Sequence, residues 1–223
     1  MIDPTTIDLT ITSLGEPTHL SPLIGGNDRI AGRFDFTPDT VGVPYDIHRE
    51  IGPDGHTTAD AARVPAFEKA GARRLLFFDP TRSRAAIATC GGLCPGLNDV
   101  IRALVMELHY LYRVPEILGI RYGYAGLSPD GQPPVVLTPD AVSEIHREGG
   151  SCLGSSRAKV NVDVMVDRLV ELGVNLLFLV GGDGTLAGAH AIAQETLRRG
   201  LPIAVVGIPK TIDNDIELVY RSF

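Results

Sequence analysis

Near the end of this 223-residue chain, Pro209-Lys210-Thr211-Ile212-Asp213-Asn214-Asp215 gathers a cation, a hydroxyl and two carboxylates. Phosphoryl transfer to an alcohol calls for those types: a carboxylate to accept the hydroxyl proton and donors to hold the moving group. The same residues also suit an Asx-type turn with solvated charges. Upstream, Gly181-Gly182-Asp183-Gly184-Thr185 follows an apolar run. With Ala187 it satisfies G-x-G-x-x-G/A, so a dinucleotide-binding turn must be weighed. Against that, Asp183 would repel a bare pyrophosphate but suit one bridged by Mg²⁺, and the next strand ends in Pro209-Lys210 instead of an acid for a ribose hydroxyl. A third segment, Cys90-Gly91-Gly92-Leu93-Cys94-Pro95-Gly96-Leu97-Asn98, places three glycines ahead of an amphipathic stretch. Backbone N–H groups there can approach an anion beside a helix N-terminus, or the glycines can serve a tight turn alone.

These segments need elements to aim them. From Ala85 onward short aliphatic runs alternate with helical periodicity, the βαβ pattern of a mostly parallel sheet. Strands are predicted at Ala85–Thr89, Glu116–Ile120, Leu176–Val180 and Ile203–Ile208, and helices at about Asn98–Tyr112, Pro139–Glu148, Val162–Leu172 and Leu186–Arg199. Thr138 before Pro139 reads as an N-cap followed by proline at the first helical position. The expected fold is α/β with a doubly wound, mostly parallel sheet, whose ligands sit beyond the strand carboxyl ends. All three chemical segments fall there. The strands before the second and third are consecutive, so their carboxylates are expected to converge on one crevice. Pro and Gly punctuate the first 60 residues without a sustained period, so residues 1–84 are read as an extension of low regular structure and 85–223 as the α/β domain.

Composition excludes several classes. Hydrophobic residues make up 44% of the chain, enough for a sizeable core, and the net charge is -7 with no dense basic run, which argues against a nucleic-acid surface. No apolar run approaches the roughly 20 residues that span a bilayer, so no membrane partner is expected. Cys90, Cys94 and Cys152 form no CxxC pair and no even disulfide framework, which points to a reducing compartment, the cytoplasm by default. Cys90 and Cys94 read as packed thiols.

Taken together, Thr89–Arg102 (TCGGLCPGLNDVIR), the Gly123-Tyr124 turn, Gly149–Arg157 (GGSCLGSSR), Gly181–Thr185 and Pro209–Asp215 resemble the phosphofructokinase family in order and spacing. The resemblance covers Ala85 to the last residue, and Phe67–Thr81 more weakly. It implies that Gly91 and Arg157 contact nucleotide phosphates, that Gly181, Gly182, Asp183, Gly184 and Thr185 lie along them, and that Asp183 is the Mg²⁺-associated aspartate. By the same resemblance Thr211 touches the transferred phosphoryl group, Asp213 is the base for a sugar 1-hydroxyl, Asp215 supports metal and base, Lys210 belongs with the catalytic residues and Ile212 with the substrate contacts. The implied reaction is transfer from Mg-ATP to fructose 6-phosphate, in a homo-oligomer when the protein is full-length. Pyrophosphate-dependent relatives typically carry Asp at the position of Gly184, so Gly184 favours ATP; Gly184 with Lys210 looks like the long plant- and trypanosome-like ATP-dependent group. A pyrophosphate-dependent enzyme and a non-catalytic nucleotide-binding module are the alternatives. The family's downstream sugar-phosphate elements are absent, so the domain is expected to be incomplete at its C-terminus and inactive alone, with Val205, Val206 and Ile208 short of partners.

Overall fold

The computed structural model of the chain describes residues 9–24, 35–44, 53, 65–216, 219 and 222. It divides into two compact units, Met1–Leu76 and Phe77–Phe223. Part of the loop-rich stretch read from the sequence, including Gly25, Gly26 and Gly55, lies outside the described residues.

In the first unit β1 (His19–Leu20) pairs antiparallel with β4 (Leu75–Leu76), and β2 (Gly42–Pro44) pairs antiparallel with β3 (Ala66–Glu68). Strands of two or three residues bury little, so side-chain bonds do much of the fixing. Arg73 donates to the Thr37 carbonyl at 2.8 Å and the Lys69 carbonyl at 2.7 Å, and pairs with Glu68 at 2.6 Å and Asp39 at 3.1 Å.

The second unit holds a five-stranded sheet in the order β7-β6-β5-β8-β9. The strands are β5 (Arg84–Thr89), β6 (Glu116–Ile120), β7 (Val135–Val136), β8 (Leu176–Gly181) and β9 (Ala204–Pro209). All neighbours run parallel except β6 and β7. The four predicted strands are present within a residue or so at each end, and β7 is an addition: two residues are too few to leave a period-2 signal. In β5 the residues alternate between two cores. Ala85 and Ile87 pack with Ile101, Val105 and Val142 on the face of α1 (Leu97–Met106) and α2 (Pro139–Val142). Ala86 and Ala88 pack with Met165, Leu169 and Ile192 on the face of α3 (Val162–Glu171) and α4 (Asp183–Arg198). This is the doubly wound α/β arrangement, with its topological switch between β5 and β8.

Three helix boundaries differ from the sequence reading. The stretch predicted as a helix to Tyr112 is α-helical to Met106 and continues as a π turn over Glu107–Leu111. The predicted Pro139–Glu148 helix stops at Val142 and resumes only as a 3-10 turn at Ile145–Arg147. Thr138 caps it as expected, accepting from the Ala141 N–H at 3.1 Å. Past it, the Ser143 hydroxyl bonds the Asp140 carbonyl and the Ser143 carbonyl accepts from Arg102 at 3.2 Å, so groups that would continue the helix are engaged elsewhere. Finally, α4 begins at Asp183, three residues before the predicted Leu186, because the Gly182 carbonyl accepts from the N–H groups of both Thr185 (2.8 Å) and Leu186 (3.0 Å).

A polar clasp joins α3 to α4. Arg199 reaches Asp167 at 2.5 Å and Asp163 at 2.7 Å, and also binds Glu195, which Arg198 holds at 2.6 Å. These hydrogen bonds, from Arg198 first and Arg199 next, bring the Glu195 carboxyl down to about 2. A carboxyl depressed in the folded state adds stability above its unfolded value, and that stability is lost as pH falls toward the folded one. Melting temperature should therefore drop between about pH 4.5 and pH 2, and Arg199→Met should lower it at pH 7 and flatten this pH dependence in thermal melts followed by circular dichroism.

Candidate functional site

The carboxyl ends of β5, β8 and β9 lie side by side because the three strands are adjacent and parallel, in a register that pairs Thr89 with Val180 and Gly181 with Pro209. The three glycine- and charge-bearing segments leave the sheet at those ends. Between them is a cavity of about 360 Å³ whose lining includes Gly91 and Gly92 of the first segment, Gly182 to Thr185 of the second and Lys210 of the third, together with Arg157.

Each wall is held from behind. After β5 the chain turns through Gly91 at φ 79° and Gly96 at φ 89°, left-handed conformations that disfavour any residue with a Cβ. The Gly91 N–H donates to the Ser156 carbonyl at 3.0 Å, and the Ser155 hydroxyl donates to the Gly91 carbonyl at 2.5 Å. The buried Asn98 at the start of α1 adds a second tie, donating to the Glu148 carbonyl at 3.0 Å and accepting from the Cys152 N–H at 2.8 Å. These straps fix the segment that carries Arg157, whose guanidinium lies 3.9 Å from where a Gly92 Cβ would be. On the opposite wall, the first turn of α4 brings unpaired helix N–H groups and the positive end of its dipole to the cavity. The Lys210 N–H donates to the Gly181 carbonyl at 2.9 Å, which anchors the third segment to the second.

The sequence reading singled out Gly91, Arg157, Gly182, Asp183, Gly184, Thr185 and Lys210, and the structure brings them around this one cavity. Gly181 stands just behind them at the end of β8. Thr211, Ile212, Asp213 and Asp215 do not line it. Of the acids expected to converge, Asp183 faces the cavity, whereas Asp213 and Asp215 are exposed in a bend around Asn214, which has φ 53°. There Thr211 Oγ1 donates to Asp215 Oδ1 at 2.5 Å and accepts from the Asp213 N–H at 3.2 Å. The catalytic-type residues thus form a compact turn next to the cavity, reached through Lys210.

Residues outside the sequence-based selection also line the cavity, among them Tyr124, Ser156 and Lys159. Tyr124 donates its hydroxyl to the Thr185 carbonyl at 2.7 Å, and its ring lies so close to Gly188 that a Cβ there would meet the Tyr124 oxygen at 2.6 Å. Burial pushes its hydroxyl pKa up, so it remains a donor at neutral pH. The Gly123-Tyr124 turn was the one sequence signal for it; Lys159 gave none. Burial also pushes the Cys90 thiol up to about 11, with a smaller opposing contribution from a backbone hydrogen bond at Tyr124. Cys90 is therefore a neutral wall of the cavity and no nucleophile.

A metal fits this lining in one way. Among the described residues no three His, Cys, Asp or Glu side chains form a metal-ligating cluster, but Mg²⁺ is commonly held by one or two carboxylates plus substrate phosphates. Asp183 is the single carboxylate that the cavity offers for that role.

A doubly wound sheet with a glycine-lined, cationic crevice at its switch point defines an α/β domain built to receive an anionic ligand. The chain belongs to the phosphofructokinase family: that family's model matches residues 84–223. It is 42% identical over 220 residues to the ATP-dependent 6-phosphofructokinase of Borreliella burgdorferi, an alignment covering 97% of this chain and 47% of that one. With the ATP-dependent 6-phosphofructokinase of Trypanosoma brucei brucei the identity is 50% over 217 residues, covering 97% of this chain and 44% of that one. The chain thus spans just under half the length of these two relatives. Among solved structures, phosphofructokinase from Pichia pastoris superposes with a TM-score of 0.52 at 26% identity, covering 60% of this chain and 17% of that one. The pyrophosphate-dependent enzyme of Marinobacter aquaeolei superposes with a TM-score of 0.54 at 23% identity over 59% of this chain and 34% of that one, a likeness of fold.

Two measurements test the wall supports. Asn98→Ala leaves a buried N–H and carbonyl unpaired and should cost about 2 kcal/mol in urea denaturation, whereas Tyr124→Phe removes a single neutral hydrogen bond and should cost about 1 kcal/mol. At pH 8 a thiol with a pKa near 11 is about one-thousandth thiolate, so iodoacetamide should spare Cys90 in the native chain and modify the exposed Cys152 first, as read by peptide mass spectrometry.

Proposed function

We propose that this chain provides the donor-binding part of an ATP-dependent 6-phosphofructokinase, which moves the terminal phosphoryl group of ATP to the 1-hydroxyl of fructose 6-phosphate. The observation that carries the reading is the cavity where β5, β8 and β9 end, with Arg157 and Lys210 beside the N-terminus of α4 and Asp183 as its carboxylate. Backbone N–H groups of the α4 turn and the Arg157 guanidinium hold the phosphates. The Tyr124 ring, set against α4, offers a flat apolar wall to the nucleoside. When bound through Asp183 and the donor phosphates, Mg²⁺ supplies charge neutralisation of the phosphoryl oxygens. Beside the cavity, Thr211 positions the transferred group and Asp213 accepts the sugar hydroxyl proton. Asp215, bonded to Thr211, keeps that turn in shape. The reaction needs no covalent intermediate; positioning and electrostatics suffice.

The preference for ATP rests on Gly184. A Cβ placed there meets no atom within 4 Å, so space beyond the glycine is open to the rest of a nucleotide. The named relatives at 42% and 50% identity are ATP-dependent, which supports the same donor over pyrophosphate. Turnover and assembly into a homo-oligomer we assign to chains of the relatives' full length. Three free thiols suit a reducing compartment, and no described helix is long and apolar enough to cross a membrane; we infer a cytoplasmic enzyme.

Isothermal titration should show the 223-residue chain binding Mg-ATP more tightly than magnesium pyrophosphate, and Gly184→Asp should weaken ATP by about tenfold or more through like-charge repulsion at close range. Tighter binding of pyrophosphate, or unchanged ATP affinity in the variant, sinks the donor assignment. Fructose 1,6-bisphosphate formed by this chain alone from ATP and fructose 6-phosphate would overturn the assignment of turnover to longer chains.

A further inference from the structure

Lys159 lies just past Gly149–Arg157, outside the segments on which the family resemblance rests, yet it lines the cavity together with Arg157 and Lys210. No hydrogen bond or ion pair joins any of these three side chains to another described residue. Of the nine other described arginines in the second unit, Arg84, Arg147, Arg168, Arg198 and Arg199 are each paired with an acid, and the remaining four are scattered outside the cavity lining. The cavity lining contains one carboxylate, Asp183, against three cations, in a chain whose net charge is -7. Unneutralised positive charge collected at one crevice, beside the positive end of a helix, raises the local concentration of a polyanion and favours it over a less charged analogue.

We infer that Lys159 is a specificity-determining contact for the donor's phosphate chain, a third cation that adds affinity in proportion to the number of phosphates bound. The inference rests on the nucleotide-site reading above and extends it to a residue outside the family's motifs. Lys159 is exposed and follows the Arg157-Ala158 step, so its flexible stem reaches the cavity mouth as a point charge rather than as a shaped donor. It acts on ground-state binding and leaves the acceptor chemistry of the Thr211–Asp215 turn untouched. Its charge is the operative property, so Arg replaces it and Met does not.

The test compares equilibrium dissociation constants of the 223-residue chain and its Lys159→Met and Lys159→Arg variants for Mg-ATP, Mg-ADP and AMP by isothermal titration, with thermal melts to verify folding. Lys159→Met should weaken Mg-ATP about fivefold, Mg-ADP by less and AMP hardly at all, and should reduce the salt dependence of ATP binding. Lys159→Arg should bind as the parent chain does. Equal ATP affinity in Lys159→Met and the parent overturns the inference while leaving the nucleotide site intact, as does a uniform loss across all three nucleotides. Failure of the parent chain to bind any of the three overturns both readings together.

Discussion

Two-sided burial of β5 is the constraint on which the second unit depends. Ala85, Ala86, Ile87 and Ala88 are sealed from water on both faces, which requires helices above and below and parallel neighbours on either side. Once β6 and β8 flank it, the order of elements along the chain places the topological switch between β5 and β8. The segments that follow β5, β8 and β9 then emerge at a single edge of the sheet, and a crevice forms between the loop after β5 and the first turn of α4. Three of the four residues Ala85–Ala88 are alanines, so helices on both faces can approach closely without cavities.

The crevice inherits its character from backbone geometry more than from side chains. Glycines in the left-handed region let the chain turn sharply after β5, and the Gly182 carbonyl starts α4 immediately after β8, leaving almost no loop between strand and helix. That economy aims a helix dipole and free N–H groups into the cavity. Side chains then set the sign of the charge: three cations and one carboxylate line the crevice, and a Cβ at Gly184 would meet no atom within 4 Å. Asn98 and Ser155 brace the walls from behind, while Tyr124 and Ser156 belong to the lining itself, and each of the four bonds backbone groups of the segments that form the crevice.

The Thr211–Asp215 turn has the bonds of an ordinary structural motif and the residues of the proposed catalytic one. Its internal bonds are those of a polar turn, with Thr211 linking Asp213 and Asp215. The same bonds fix a hydroxyl and two carboxylates in a small volume next to a cationic cavity. A turn reading and a catalytic reading of Asp213-Asn214-Asp215 are therefore compatible. β9, which leads into this turn, is an edge strand of the described sheet with Val206 43% exposed.

Sequence alone determined the order and type of the main elements from β5 to β9, because buried parallel strands are short, nearly continuous aliphatic runs and their glycine-rich exits are unmistakable locally. It also singled out the residues to which phosphate chemistry is assigned in the proposal, since Gly182–Thr185 and Lys210–Asp215 are contiguous in the chain. What it left undecided was anything resting on contacts across the sheet. The early start of α4 depends on one carbonyl accepting two N–H groups, and the end of α2 on an arginine from α1 taking a carbonyl. Tyr124 and Lys159 reach the cavity from segments about 60 and 25 residues away from α4; the Gly123-Tyr124 turn is the one local sign of the first, and nothing in the sequence marks the second. The tertiary structure alone separated Asp183, which faces the crevice, from Asp213 and Asp215, which stand beside it. A side chain's direction is set by packing and hydrogen bonds between elements, and those have no signature in the spacing of residues along the chain.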